Sequence, residues 1–157
     1  MARMIVLLVM TLLLGACKAT PQQSLADAQP VVSASVPTSA PLACPSLSFD
    51  GFLKAFVESP EVQKAFSAKP LESQAVDAAA EPEPALVTKM LTANELQFPL
   101  IPSEQQQAKE GLIMRQSVLE NDDIKVTLAK EDTDYQMSFY FKKEACWKLI
   151  RIRNDSL

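Results

Sequence analysis

Ile124–Arg153 reads IKVTLAKEDTDYQMSFYFKKEACWKLIRIR, and apolar residues recur through much of it at every second position. Ile124, Val126 and Leu128 alternate with Lys125, Thr127 and Ala129, the pattern of a strand with one buried face. Glu131-Asp132-Thr133-Asp134 predicts a turn. Tyr135, Met137, Phe139 and Phe141 then share one face, while Gln136, Ser138, Tyr140 and Lys142 share the other. Lys143-Glu144-Ala145 predicts a second turn, leading into a closing strand over Cys146–Arg153. Leu149 and Ile150 are adjacent and both apolar, so either both faces of that strand are covered or a bulge shifts its phase.

Working outward, Leu112–Glu120 predicts one more strand, with imperfect alternation. Phe49, Phe52, Leu53 and Phe56 follow the i, i+3, i+4, i+7 spacing of an amphipathic helix. Ser48 stands at its N-cap and Asp50 in its first turn, where a negative charge suits the helix dipole. Ser59-Pro60-Glu61 predicts a second helix start, with Val62 and Phe66 as its apolar face and Pro70 as its stop. Residues 71–103 give an irregular reading: Glu81-Pro82-Glu83-Pro84 predicts an extended loop, and Leu86–Leu91 either a short strand or a helical turn. Phe98-Pro99-Leu100-Ile101-Pro102 fits a sheet edge or a packed loop. The expected class is therefore α+β, with N-terminal helices packed on an antiparallel meander of about four strands.

The N-terminus differs in kind. Met1–Ala16 carries one charge, Arg3, before an apolar run too short to span a bilayer comfortably, which is the build of a signal peptide. Leu14-Gly15-Ala16-Cys17 resembles the lipobox of bacterial lipoproteins, which implies cleavage between Ala16 and Cys17 and lipidation of Cys17. Lys18 after that cysteine, by the same resemblance, implies sorting to the outer membrane, lipid-anchored and facing the periplasm. Acyl chains contribute roughly 0.8 kcal/mol per buried methylene, enough together for stable anchoring. Between Lys18 and Ala43, Pro21, Pro30, Pro37 and Pro41 are spaced among Ala, Ser, Thr and Gln with no aromatic residue. Such a stretch cannot bury enough surface to offset its ordering entropy, so 17–43 reads as the lipidated cysteine and a disordered tether. The remaining 44–157 reads as a single globular domain.

Composition excludes several activities. Of 157 residues none is histidine, which removes Ser-His and Cys-His nucleophilic machinery and weakens any zinc-hydrolase reading. A formal net charge of −4 gains nothing from a phosphate backbone, so nucleic acid is not an expected partner. Once Cys17 is lipidated, Cys44 and Cys146 remain, and an even pair in an oxidising compartment predicts a disulfide. A redox-active pair would want the close CxxC spacing that is missing. The acidic runs Glu120-Asn121-Asp122-Asp123 and Glu131-Asp132-Thr133-Asp134 lack the glycine and the spacing of a calcium loop, and turn chemistry explains them. No metal, cofactor or catalytic residue is expected. Lys142, Lys143, Lys148, Arg151 and Arg153 gather around the last hairpin. The ordinary reading is a solvated strand face; the functional one is a patch for an acidic partner or lipid headgroups.

Phe49-Asp50-Gly51-Phe52-Leu53-Lys54-Ala55-Phe56 and Cys146-Trp147-Lys148-Leu149-Ile150-Arg151-Ile152 together resemble a group of uncharacterised bacterial lipoproteins. That resemblance implies an outline similar to the nuclear transport factor 2-like (cystatin-like) fold, with a curved antiparallel sheet wrapped on N-terminal helices. It also implies a conical pocket, which in this chain would be lined by Phe52, Phe56, Met137 and Phe139. A third helix, which a full version of that fold carries, is not evident, and no catalytic residue carries over. The expected function is a non-catalytic protein-binding or accessory module of the cell envelope, tethered through Cys17. The alternatives are a carrier of a small apolar ligand in that pocket and an immunity protein against a secreted toxin.

Overall fold

Aromatic side chains spaced along one face of a helix need an apolar partner layer, and the strands of the C-terminal third supply it. A computed structural model describes residues 41–156. The expectations for Ala16, Cys17 and most of the tether lie outside the described residues. Helix α1 (Phe49–Glu58) buries Phe49, Phe52, Leu53, Phe56 and Val57. Its N-cap, Ser48, makes no side-chain cap; its hydroxyl bonds the Ser46 hydroxyl instead, at 3.0 Å. Helix α2 (Pro60–Phe66) starts as its sequence requires, with Pro60 at the first position and Ser59 Oγ accepting from the Val62 N–H at 3.2 Å.

The sheet has six strands, so the expected count of about four is corrected, although the four expected strands do form an antiparallel meander within it. They are β1 (Ser67–Asp77), β2 (Ala85–Leu91), β3 (Leu112–Val118), β4 (Ile124–Lys130), β5 (Gln136–Lys143) and β6 (Trp147–Asn154). Their spatial order is β2-β1-β6-β5-β4-β3, and the sheet is mixed because β1 runs parallel to β6. The part of 71–103 expected to be irregular therefore supplies most of two strands. Pro70 does not stop α2, which ends at Phe66; it sits inside β1, where the register with β6 shifts between Ser67 and Glu72. A proline has no N–H for the ladder, so a break in register is where a strand tolerates it. The third helix is present as α3 (Glu104–Glu110), closed by Gly111 in the left-handed conformation at φ 70°.

In β6 the doubled apolar pair is a bulge. Tyr140 pairs Arg151 and Phe141 pairs Leu149, which leaves Ile150 as the extra residue. Beneath the helices, the Phe141 ring meets Phe49, Phe52 and Phe56 with centroids 5.4, 6.0 and 5.2 Å away. Val126, Leu128, Phe139 and Leu149 complete the sheet side of that core. Such packing dominates the stability of a domain this small, since each buried aromatic removes well over a hundred square ångströms from water. The cysteines pair as expected: Cys44 and Cys146 form a disulfide across 102 positions of sequence. Beside it, the Trp147 indole N–H donates to the Leu47 carbonyl at 3.2 Å.

Candidate functional site

Gln63 is the most deeply buried polar side chain on the helices, and it organises the loop that follows β2. Its Nε2 donates to the Ile101 carbonyl at 2.8 Å, and its Oε1 accepts from the Leu100 and Ile101 N–H groups at 2.6 and 3.2 Å. One amide thus satisfies three backbone groups of a proline-interrupted segment that cannot join a ladder. Ile101 is fully buried by this clamp, so the segment is the packed loop of the two expected alternatives. Nothing in the sequence marked Gln63, because a glutamine among Val62 and Phe66 on a short helix has no special pattern.

The residues expected to line a pocket are packed against other side chains. Phe52, Phe56 and Phe139 are buried in the core and Met137 is half-buried beside them. Four surface clefts of about 200 to 480 Å³ have other linings. One of about 480 Å³ lies between α1, α2 and the proline loop, against Val57, Pro60, Pro99 and Pro102. Another of about 400 Å³ lies on the β1–β2 hairpin, against Ser73, Ala75, Asp77, Val87 and Lys89. The two acidic runs form turns, with Asp122 and Asp132 in the left-handed region at φ 61° and 58°. Among the described residues, no three His, Cys, Asp or Glu side chains converge as a metal site would require.

The polar chemistry gathers on the sheet face away from the helices. Strand alternation puts Phe139, Phe141 and Leu149 toward α1, so their neighbours Ser138, Tyr140, Lys142, Lys148 and Arg151 point the other way. Register then aligns two rows across the sheet. Lys125, Tyr140, Arg151 and Glu72 form one; Arg115, Thr127, Ser138, Arg153 and Gln74 form the next. Among the described residues no helix covers this face: α1 packs on the opposite one, and α3 shares a cleft with Met114 there.

Its centre is held in place by ionic and ring contacts. Arg151 Nε lies 2.9 Å from Glu72 Oε1, and the guanidinium stacks over the Tyr140 ring at 5.2 Å. The approach is off the hydrogen-bond line, which leaves that buried Nε–H without a hydrogen-bond partner. Gln74 Nε2 donates to the same Glu72 oxygen at 2.8 Å. Arg153 pairs with Asp155, whose other oxygen accepts from Ser138 Oγ at 3.2 Å. Of the five basic residues that the sequence grouped, four share this face. Lys143 instead turns over the Trp147 ring, 5.5 Å from its centroid.

Lys142 and Lys148 sit directly opposite each other in the β5–β6 ladder. Like charges in that position destabilise a sheet by a few tenths to about 1 kcal/mol. Glu144 offsets one of them, 3.9 Å from Lys148 Nζ. Lys142 and Lys125 make no ion pair among the described residues. A chain with an acidic balance thus carries a local basic surface, and alternation in the sequence already grouped Lys142 with Tyr140 and Ser138. The cross-strand partners were not legible, because Glu72 lies 79 positions from Arg151 in a segment without a strand pattern.

No protein-family model matches the chain. A search of curated proteins likewise finds no match. Among solved structures, a nuclear transport factor 2-like protein from Bacteroides fragilis is similar, with a TM-score of 0.51 at 17% identity. The alignment covers 69% of this chain and 47% of that one, so the chain spans about half the length of its structural neighbour. At that identity the likeness concerns the fold alone, and it supports the expected nuclear transport factor 2-like outline of helices on one face of a sheet.

Proposed function

We propose that this chain is a lipid-anchored envelope protein that binds an acidic surface of another envelope protein through the helix-free face of its sheet. In this reading residues 1–16 direct export, Cys17 carries the lipid, and 18–43 hold the domain away from the outer membrane on its periplasmic side. The domain is non-catalytic: its conspicuous chemistry is recognition, built from Arg, Tyr and Lys on rigid strands. The observation that carries the reading is the juxtaposition of Lys142 with Lys148, beside Lys125, which has no ion-pair partner among the described residues, and the braced Arg151–Tyr140 pair. A sheet that needed only to fold would not keep two lysines opposed, and local conflicts of this kind concentrate where a surface has work to do. Arg and Tyr are also the side chains enriched at the energetic centres of interfaces.

Crosslinking in intact cells followed by intact-mass analysis tests it. The expected result is a discrete protein adduct that is lost when Lys125→Glu and Lys142→Glu are combined and weakened in the untethered Cys17→Ser chain. An adduct indifferent to both lysines would remove this face as the docking site. No adduct under any condition would remove the binding-module reading itself.

A further inference from the structure

Strand β2 ends the sheet, hydrogen-bonded to β1 on one side and, among the described residues, to nothing on the other. Its sequence, Ala-Leu-Val-Thr-Lys-Met-Leu, is apolar apart from Thr88 and Lys89, yet it is exposed along nearly its whole length. Leu86 and Met90 are 47% and 55% accessible on the helix-free face, and Val87 is 39% accessible on the other. A free edge of this kind is a template for another strand, and sheets usually blunt it with charge, proline or a covering element. Here none of those devices falls in the strand except Lys89.

We infer that β2 pairs with β2 of a second copy of this chain, antiparallel about a two-fold axis at Thr88. The strand runs from Ala85 to Leu91, so Thr88 is its centre and this register pairs all seven residues. It places Leu86 opposite Met90, Ala85 opposite Leu91 and Val87 opposite Lys89, with Thr88 opposite itself. Apolar side chains meet across the helix-free face, and the one charge never faces its own copy. Threonine–threonine and apolar cross-strand pairs are the kinds that stabilise a ladder. The other edge of the sheet, β3, lacks this symmetry. Its full-length register centres on Arg115 and would set that guanidinium against its own copy. One edge is thus self-complementary and the other self-repelling, which yields a closed pair and not an open ladder. The surface is distinct from the lysine face, so this inference stands or falls separately from the acidic-partner reading.

The full chain with Thr88→Cys tests the register, because Thr88 is exposed and its replacement leaves the core alone. Mild oxidation should double its mass on non-reducing analysis, and reductant should reverse this. Wild type, and a mixture of Ile113→Cys with Ser117→Cys chains, whose cysteines would face each other in the β3 register, should stay at single mass under the same treatment. Chains with Leu86→Cys should crosslink to chains with Met90→Cys in a mixture, but not to themselves. Wild type should sediment as a dimer as concentration rises, and Met90→Lys should return it to a monomer. Monomeric sedimentation together with an uncrosslinked Thr88→Cys chain would overturn the inference. So would a dimer that crosslinks Ile113→Cys to Ser117→Cys and not through Thr88→Cys.

Discussion

Replacing both bridge cysteines, Cys44→Ala with Cys146→Ala, should cost this domain stability mainly through its unfolded state. The disulfide joins the approach to α1 with the start of β6 across 102 positions. Closing a loop of that length removes chain entropy worth about 4.7 kcal/mol at 25 °C on the loop-closure model. Urea slopes for small domains are about 1–3 kcal/mol per molar, so the midpoint should fall by roughly 2–5 M. The melting temperature should fall by about 15–20 °C. Two further signs identify the mechanism. The urea slope should rise, because an open unfolded chain exposes more surface than a looped one. The near-ultraviolet signal of Trp147 should stay native, since its core packing and its bond to Leu47 are independent of the sulfurs. A loss below about 1 kcal/mol would refute the entropy argument. A large loss accompanied by a collapsed Trp147 signal would place the bridge's contribution in the folded state, which refutes it equally.

Gln63→Leu should destabilise the domain by about 2–5 kcal/mol, because it leaves the two buried backbone groups of Ile101 and the half-buried Leu100 N–H without partners. Hydrogen exchange at those two amides should rise before the rest of the core opens. Lys142→Glu should stabilise the sheet by about 0.2–1 kcal/mol in urea titrations, turning a like-charge pair with Lys148 into an opposite one, while it weakens partner capture. Glu95 gives an acid-side prediction. The Thr92 hydroxyl, and then the Thr92 N–H, hold its carboxyl below the ordinary value of 4.5. Its folded value is therefore depressed, so its contribution is present above about pH 4.5 and is lost as pH falls through the lower folded value. Glu95→Gln should flatten the stability–pH curve in that window and nowhere else, as read from unfolding midpoints at successive pH values.

Legibility followed burial on one face. Strands β4 and β5 could be read because Val126, Leu128, Phe139 and Phe141 meet the same core at every second position. Helix α1 could be read because its rings repeat at helical spacing, and the phase shift at Ile150 left its mark as two adjacent apolar residues. Strand β2 stayed ambiguous since, among the described residues, neither of its faces is covered, so no alternation was selected. Strand β1 was hidden by Pro70 and by Glu72, Ser73 and Gln74, which read as a loop until the parallel strand β6 supplies their partners. Helix α3, Glu-Gln-Gln-Gln-Ala-Lys-Glu, buries only Gln107 and so carries no apolar stripe. In the candidate site, the basic residues of one hairpin were visible together, but their acid partners and the exclusion of Lys143 were not.

The sequence alone determined what depends on neighbours along the chain: the capped start of α2, the ring face of α1, the strands of the closing hairpin, and the count of cysteines that made one bridge the economical solution. Tertiary structure decided what depends on distant partners. It made a polar segment into a parallel strand, set Lys142 opposite Lys148, and braced Arg151 with Glu72. It also left an apolar strand at the edge of the sheet among the described residues. The division has one physical cause. Local periodicity records which side of an element meets the core, whereas hydrogen-bond register and charge pairing are fixed only when strands remote in sequence come to lie a few ångströms apart.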